Sequence, residues 1–228
     1  MIDPLAPTSA SVVLIDEEGE RSIIHLLGVS AQFAALDINL DLVRYAKALL
    51  IAGTFLMPLF DGEGTAWLAR FAREEGILVC MDTAWDSSGQ WFQKIGGALP
   101  YLHLFMPSYE EAKVLSGHDH PETIARFFIA RGVENVVIKL GEEGCYVASA
   151  SKNEAFYVPS YRLEHVVDTS GAGDAFCAGF ICGLLSGFSI KRCAQFTNAV
   201  AAHCIMEIGT TRGVKDKETI LKMMSEHR

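Results

Sequence analysis

Four apolar runs constrain the fold of this chain more than any other feature. They are "KALLIAG" (47–53), "ILVCMD" (77–82), "LHLFMP" (102–107) and "VENVVIKLG" (133–141). Each is apolar along most of its length instead of alternating, which is the pattern of a strand buried on both faces. Helical segments separate them. "TAWLARFAREEG" (65–76) sets Trp67, Leu68, Phe71 and Ala72 on one face and stops at Gly76. "SYEEAKVLSG" (108–117) opens on a capping serine and closes on glycine, and "PETIARFFIARG" (121–132) is a further helix. Buried strands alternating with amphipathic helices predict an α/β fold: three layers, α/β/α, around a central, mainly parallel sheet.

The two ends have a different character. Residues 11–16 and 21–27 are β-branched runs on either side of Glu17-Glu18-Gly19-Glu20, and predict a hairpin. Beyond residue 141, "EEGCYVAS" and "EAFYVPS" read as short antiparallel strands at a sheet edge. The C-terminal part reads as helix over 173–186, 189–206 and 216–226, broken at Gly187 and Gly209. With no internal repeat and no low-complexity linker, residues 1–228 are expected to form a single domain.

Charge and composition exclude some functions. The net charge of −9 comes without a basic stripe, so nucleic acid is not expected as a partner. No window of the sequence approaches the length of a membrane span, and the start lacks a basic segment followed by an apolar run. The six cysteines contain no C-x-x-C pair; Cys80 and Cys182 sit in apolar surroundings. They read as buried, reduced thiols of a cytoplasmic protein. His118 and His120 form the closest histidine pair, beside a proline, with no third ligand near them in sequence.

The chemistry concentrates in "VDTSGAGDAF" (167–176). A Gly-Ala-Gly-Asp turn opening an apolar helix presents backbone N–H groups at a helix N-terminus, where the dipole favours negative charge. That makes an anion cradle. Asp174, a carboxylate inside it, reads either as a helix cap or as a general base taking a proton from an attacking hydroxyl. A P-loop is excluded by the missing lysine, and a dinucleotide fingerprint by Phe176 at its third position and by the helices that follow. A dehydrogenase reading would rest on Gly171-x-Gly173 alone.

"DTSGAGDAFCAGF" resembles the C-terminal signature of the ribokinase-like (PfkB) carbohydrate kinases. "GERSIIH", "MPSYEEA", "VVIKLGEEGCYV" and "NAVAAHCIMEIGTT" follow the family's order along the rest of the chain. The resemblance implies transfer of the γ-phosphoryl of ATP to a sugar or sugar-acid hydroxyl, with Mg²⁺. It implies Asp174 as catalytic base and the amides of Gly171, Ala172 and Gly173 as the anion hole. It places Lys139, Gly141 and Gly144 where the nucleotide passes, and Asn198 near the adenine. It makes Glu111 the glutamate that organises magnesium, and Asp168 and Ser170 contributors to a monovalent-cation (K⁺) site. Plainer readings stand beside these: Lys139 snorkelling to the surface, Asn198 on a solvated helix face, Glu111 as a first-turn glutamate. Asp82 ends a strand of the parallel sheet, where ligands usually approach, and reads equally as a cap within "DTAWD".

Two departures from the family stand out. Its Asn-x-x-Glu is here Ser108-Tyr109-Glu110-Glu111. Its early sugar-holding motifs, a strand aspartate and a Gly-Gly-x-x-x-Asn segment, find no match in residues 1–60, so the fold is expected to be N-terminally incomplete and its acceptor site largely absent. The alternative expectation is therefore a catalytically silent nucleotide-binding or interaction protein that keeps the kinase fold. An uncovered sheet edge or apolar face leads to the expectation of a homodimer.

Overall fold

The structure is a computed structural model that describes residues 4–15 and 21–226. Its centre is a six-stranded sheet: β3 (Ala48–Thr54), β4 (Leu78–Thr83), β5 (Leu104–Phe105), β6 (Asn135–Lys139), β7 (Cys145–Ser149) and β8 (Glu154–Val158), side by side in sequence order. The first four pair in parallel; β6, β7 and β8 pair antiparallel. Apart from it lies a two-stranded hairpin of β1 (Ala10–Ile15) and β2 (Arg21–Leu26). The turn expected at 17–20 lies outside the described residues.

The strand order explains the layers. Parallel crossovers are right-handed, so strands that step always in one direction leave all their connections on one face. α2 (Glu63–Glu74), α3 (Phe92–Ile95), α4 (Tyr109–Ser116) and α5 (Pro121–Ile129) are those connections, and α1 (Leu40–Arg44) precedes them. Val79, Met81, Phe105, Val136, Ile138 and Tyr146 point into the core on that side. The alternate residues Cys80, Leu104, Val137, Cys145 and Val147 face the other way. That second face is covered by the C-terminal helices α6 (Ala172–Leu185) and α7 (Ile190–Cys204), with α8 (Lys217–Glu226) packed on α7. The result is the three-layer α/β/α arrangement with a mainly parallel sheet expected from the sequence.

Several boundaries differ from the sequence expectation. "LHLFMP" contributes only Leu104–Phe105 as strand, and the fourth run only Asn135–Lys139, because both chains leave the sheet at once for turns that carry the site. α4 follows the sequence closely: Ser108 caps it, the Glu111 side chain reaches back to the Ser108 N–H, and Gly117 closes it in the left-handed conformation. Cys182 is exposed, contrary to expectation, because it falls on the outer face of α6; Cys80, Cys145, Cys177, Cys193 and Cys204 are buried and unpaired. No described helix is long and apolar enough to cross a membrane.

The hairpin is exposed on both faces. Val12, Val13 and Leu14 of β1 and Ile23, Ile24 and Leu26 of β2 are all exposed. At its base the two arms are tied to each other: the Val29 N–H donates to Pro7 O at 2.8 Å and the Ser9 and Ser30 hydroxyls meet at 2.7 Å.

Candidate active site

In an open α/β sheet, ligands are received at the carboxyl ends of the parallel strands. Three chain ends converge there. β4 ends on Asp82 and Thr83, β5 leads through Pro107 into the Ser108 cap of α4, and β6 ends on Lys139. The short β5 draws the three together: the Lys139 N–H donates to Pro107 O at 3.0 Å, and Ser108 bridges Lys139 in parallel.

The side chains there form one polar group. Lys139 Nζ donates to Asp82 Oδ1 at 2.7 Å, with side chains 14% and 10% exposed. The Thr83 N–H donates to the same oxygen at 2.9 Å. Thr83 Oγ1 donates to Glu111 Oε2 at 2.9 Å, and that oxygen also takes the Ser108 N–H at 3.0 Å. Burial opposes both charges and pushes the Asp82 carboxyl above the usual carboxylate range. At Lys139 the Asp82 carboxylate, with Glu111 a lesser contributor, outweighs burial and holds the ammonium above the usual lysine pKa; the 2.7 Å contact supports the charged pair. Lys139 thus does not snorkel to the surface; it is fixed inside a buried ion pair. Asp82 is its partner, not a cap, and this pairing is not visible in a sequence where the two residues are 57 positions apart.

α6 arrives over this group with its N-terminus. Lys139 Nζ lies 3.5 Å from the point where a side chain on Gly173 would begin. The turn before the helix is built for close approach. Gly171 is left-handed, with φ +78°, and a Cβ there would sit 2.5 Å from Thr210 O. Asp168 ties the same two segments, accepting the Ser170 N–H on Oδ1 and the Gly209 N–H on Oδ2, each at 2.9 Å. Cys204 Sγ approaches Thr210 O at 3.3 Å. Asp174 is exposed in the first turn, and α6 has no side-chain cap bond. The first amides of a helix have no intrahelical acceptor.

Beside this lies an open cavity of about 630 Å³, lined by residues that include Ser108, Lys139, Gly141 and Tyr157. Gly141 and Gly144 bracket the turn that joins β6 to β7. A Cβ on Gly144 would lie 2.1 Å from Val158 O, so this turn presses against the end of β8. Asn198 holds that end from the opposite side. It is 4% exposed, and its amide donates to Val158 O at 3.1 Å and Pro159 O at 2.9 Å. It is a buried clamp on the turn's support, not a residue on a solvated helix face.

The structure therefore brings Asp82, Thr83, Ser108, Glu111, Lys139 and Gly173 to one point. Asp168, Ser170 and Gly171 form the adjoining turn, and Asn198 acts on the next loop. A helix N-terminus above an ammonium, with an exposed carboxylate in its first turn, is an arrangement chemically suited to receive a phosphate in an α/β protein.

The comparisons agree with that class and narrow it. Residues 1–217 match the pfkB family of carbohydrate kinases, and the chain belongs to that family. It is 30% identical to an uncharacterised sugar kinase of Archaeoglobus fulgidus, over 91% of this chain and 80% of that one. It is 37% identical to the 2-dehydro-3-deoxygluconokinase of Bacillus subtilis, over 68% of this chain and 49% of that one. An E. coli protein described as ribokinase II, solved with ATP and Mg²⁺, superposes with a TM-score of 0.84 at 25% identity, over 98% of this chain and 73% of that one. The chain thus spans about half of the Bacillus relative's length and about three-quarters of the E. coli protein.

Proposed function

We propose that this chain is an ATP-dependent kinase that moves the γ-phosphoryl of MgATP to a hydroxyl of a small sugar or sugar acid. The observation that carries the reading is the meeting of Lys139 with the Gly173 turn at the N-terminus of α6, with the uncapped Asp174 beside it. Phosphoryl transfer asks a protein for alignment and charge neutralisation more than for covalent work. The amides of Gly171, Ala172 and Gly173 and the Lys139 ammonium supply the charge. Asp174 takes the proton of the incoming hydroxyl. Gly141 and Gly144 shape the turn along which the nucleotide lies, and Asn198 supports the base end by fixing Val158 and Pro159.

The residues fit a magnesium ion of the kind kinases use. Mg²⁺ keeps several waters and takes one or two carboxylates plus phosphate oxygens, so it needs no all-protein cage. Glu111 is suited to it: partly buried, oriented by Thr83 and Ser108, and facing the phosphate seat. The metal would neutralise charge on the phosphate oxygens. A monovalent cation such as K⁺ would lie by Asp168 and Ser170; the engagement of both Asp168 oxygens with backbone amides supports a role in shaping that loop.

Calorimetry with MgATP, beside a coupled ADP-release assay over a panel of sugars and sugar acids, tests the reading. Weak but measurable MgATP binding is expected, with low turnover. Absence of both binding and turnover would sink it, and binding without turnover over the whole panel would favour the silent nucleotide-binding alternative.

We also propose that the chain is a homodimer in the cytoplasm. The exposed apolar residues on both faces of the hairpin, and the open outer edge of β3, support this. Light scattering at micromolar concentration should give twice the chain's mass; a monomer there would refute it.

A further inference from the structure

The phosphate seat contains an apparent contradiction. A site for anions has two carboxylates, Asp82 and Glu111, packed around a single ammonium. Glu111 is explained by the metal. Asp82 is not: its Oδ1 is filled by the Thr83 N–H and Lys139 Nζ, and the Cys177 thiol of α6 packs against the same carboxylate. A carboxylate bonded to the ammonium that is proposed to receive the phosphates lowers their affinity through Coulomb repulsion. It is nonetheless the group that fixes where the Lys139 ammonium points, on a long side chain that is otherwise free to rotate.

We propose that Asp82 is a positioning residue that holds the Lys139 ammonium under Gly173 for phosphoryl transfer, at a cost in ground-state affinity for the nucleotide. This rests on the kinase reading above. Interactions that strengthen only in the transition state raise turnover, whereas equal binding of substrate and transition state does not. A lysine pinned in place by a carboxylate already has its orientation when charge shifts on the phosphoryl oxygens. A lysine without that partner follows the nucleotide's ground-state charge, binds it more tightly and aligns it less well. Removing the carboxylate's charge relieves repulsion whatever its role, so the distinguishing readout is turnover: a purely structural ion pair would leave the rate of phosphoryl transfer from bound MgATP unchanged.

The test is a double-mutant cycle in the full chain, reading MgATP affinity by calorimetry and ADP release by coupled assay. Asp82→Asn keeps the side chain's shape and removes its charge. It should tighten MgATP by roughly threefold or more and lower ADP release by about tenfold. Lys139→Gln leaves Asp82 unpaired beside the phosphates and should weaken MgATP on the order of 30-fold. Adding Asp82→Asn to Lys139→Gln should recover at least about fivefold of that loss. Unchanged ADP release by Asp82→Asn, weaker binding in that variant, or no recovery in the double variant overturns the proposal while leaving the kinase reading standing. Failure of the unaltered chain to bind MgATP overturns both. The double variant, with both charges removed, keeps the cycle readable if Lys139→Gln alone is unstable.

Discussion

Asp174→Asn is expected to lower ADP release by about 10²–10⁴-fold, the usual contribution of a general base, while MgATP affinity stays within a few-fold. The two halves of that expectation come from different parts of the turn. In the proposed reading the nucleotide is held by backbone amides of the α6 N-terminus and by Lys139, none of which involves the Asp174 side chain. The carboxylate itself is exposed and makes no cap bond, so it is free to meet a hydroxyl. Replacing it with an amide of the same shape removes the proton acceptor and little else.

The alternative role makes the opposite prediction. A residue that serves α6 only as a first-turn acid contributes about 0.3–1 kcal/mol through the helix dipole. Asp174→Asn would then lower the melting temperature slightly and leave turnover alone. Measuring ADP release to the best acceptor of the panel, or to water where transfer is slow, separates the two. Unchanged release with a lower melting temperature would reduce Asp174 to a helix-end charge.

How much of this was legible in the sequence depended on how local the cause was. The apolar runs at 77–82 and 133–141 announced buried strands, because burial on both faces leaves no polar alternation to confuse the reading. Ser108 and Gly117 marked the ends of α4 because capping chemistry lies within four residues of the cap. The Gly-Ala-Gly-Asp turn was equally local. Asp82 and Lys139 were not, since their pairing exists only after the sheet brings β4 and β6 to either side of the short β5. The solvated-face reading of Asn198 fails for the same reason: its partners, Val158 and Pro159, lie 40 and 39 residues away in sequence. Cys182 went the other way, because an apolar helix such as α6 does not reveal from sequence which of its faces meets water. One sequence signal would have pointed to Asp82: an acid closing a wholly apolar strand is costly to bury without a partner.

The other large effect is expected at Gly171, where Gly171→Ala should weaken MgATP by about tenfold or more, a loss in line with what misplacing a positioning group costs. Gly171 meets two separate demands. Its φ of +78° is left-handed, which costs an alanine about 1–2 kcal/mol. Its missing side chain also admits Thr210, whose O and Cα would lie 2.5 and 2.6 Å from a Cβ. Backbone cannot swing aside as a long side chain can, so the 205–210 segment has to move away from the turn. That movement strains the bond from the Gly209 N–H to Asp168, which in turn holds the Ser170 N–H at the entrance to α6. The amides proposed to receive phosphate are displaced with it. Gly187→Ala is the control, because Gly187 has a similar φ of +75° but nothing within 4 Å of its Cβ position. Both variants should lose about 1–2 kcal/mol to backbone strain, whereas only Gly171→Ala should lose nucleotide affinity and the further stability that the Thr210 clash removes. Calorimetric melting of the two variants with and without MgATP reads both effects. Equal melting temperatures and equal MgATP affinities would show that the Thr210 contact yields without disturbing the turn, and that the left-handed backbone alone is what Gly171 provides.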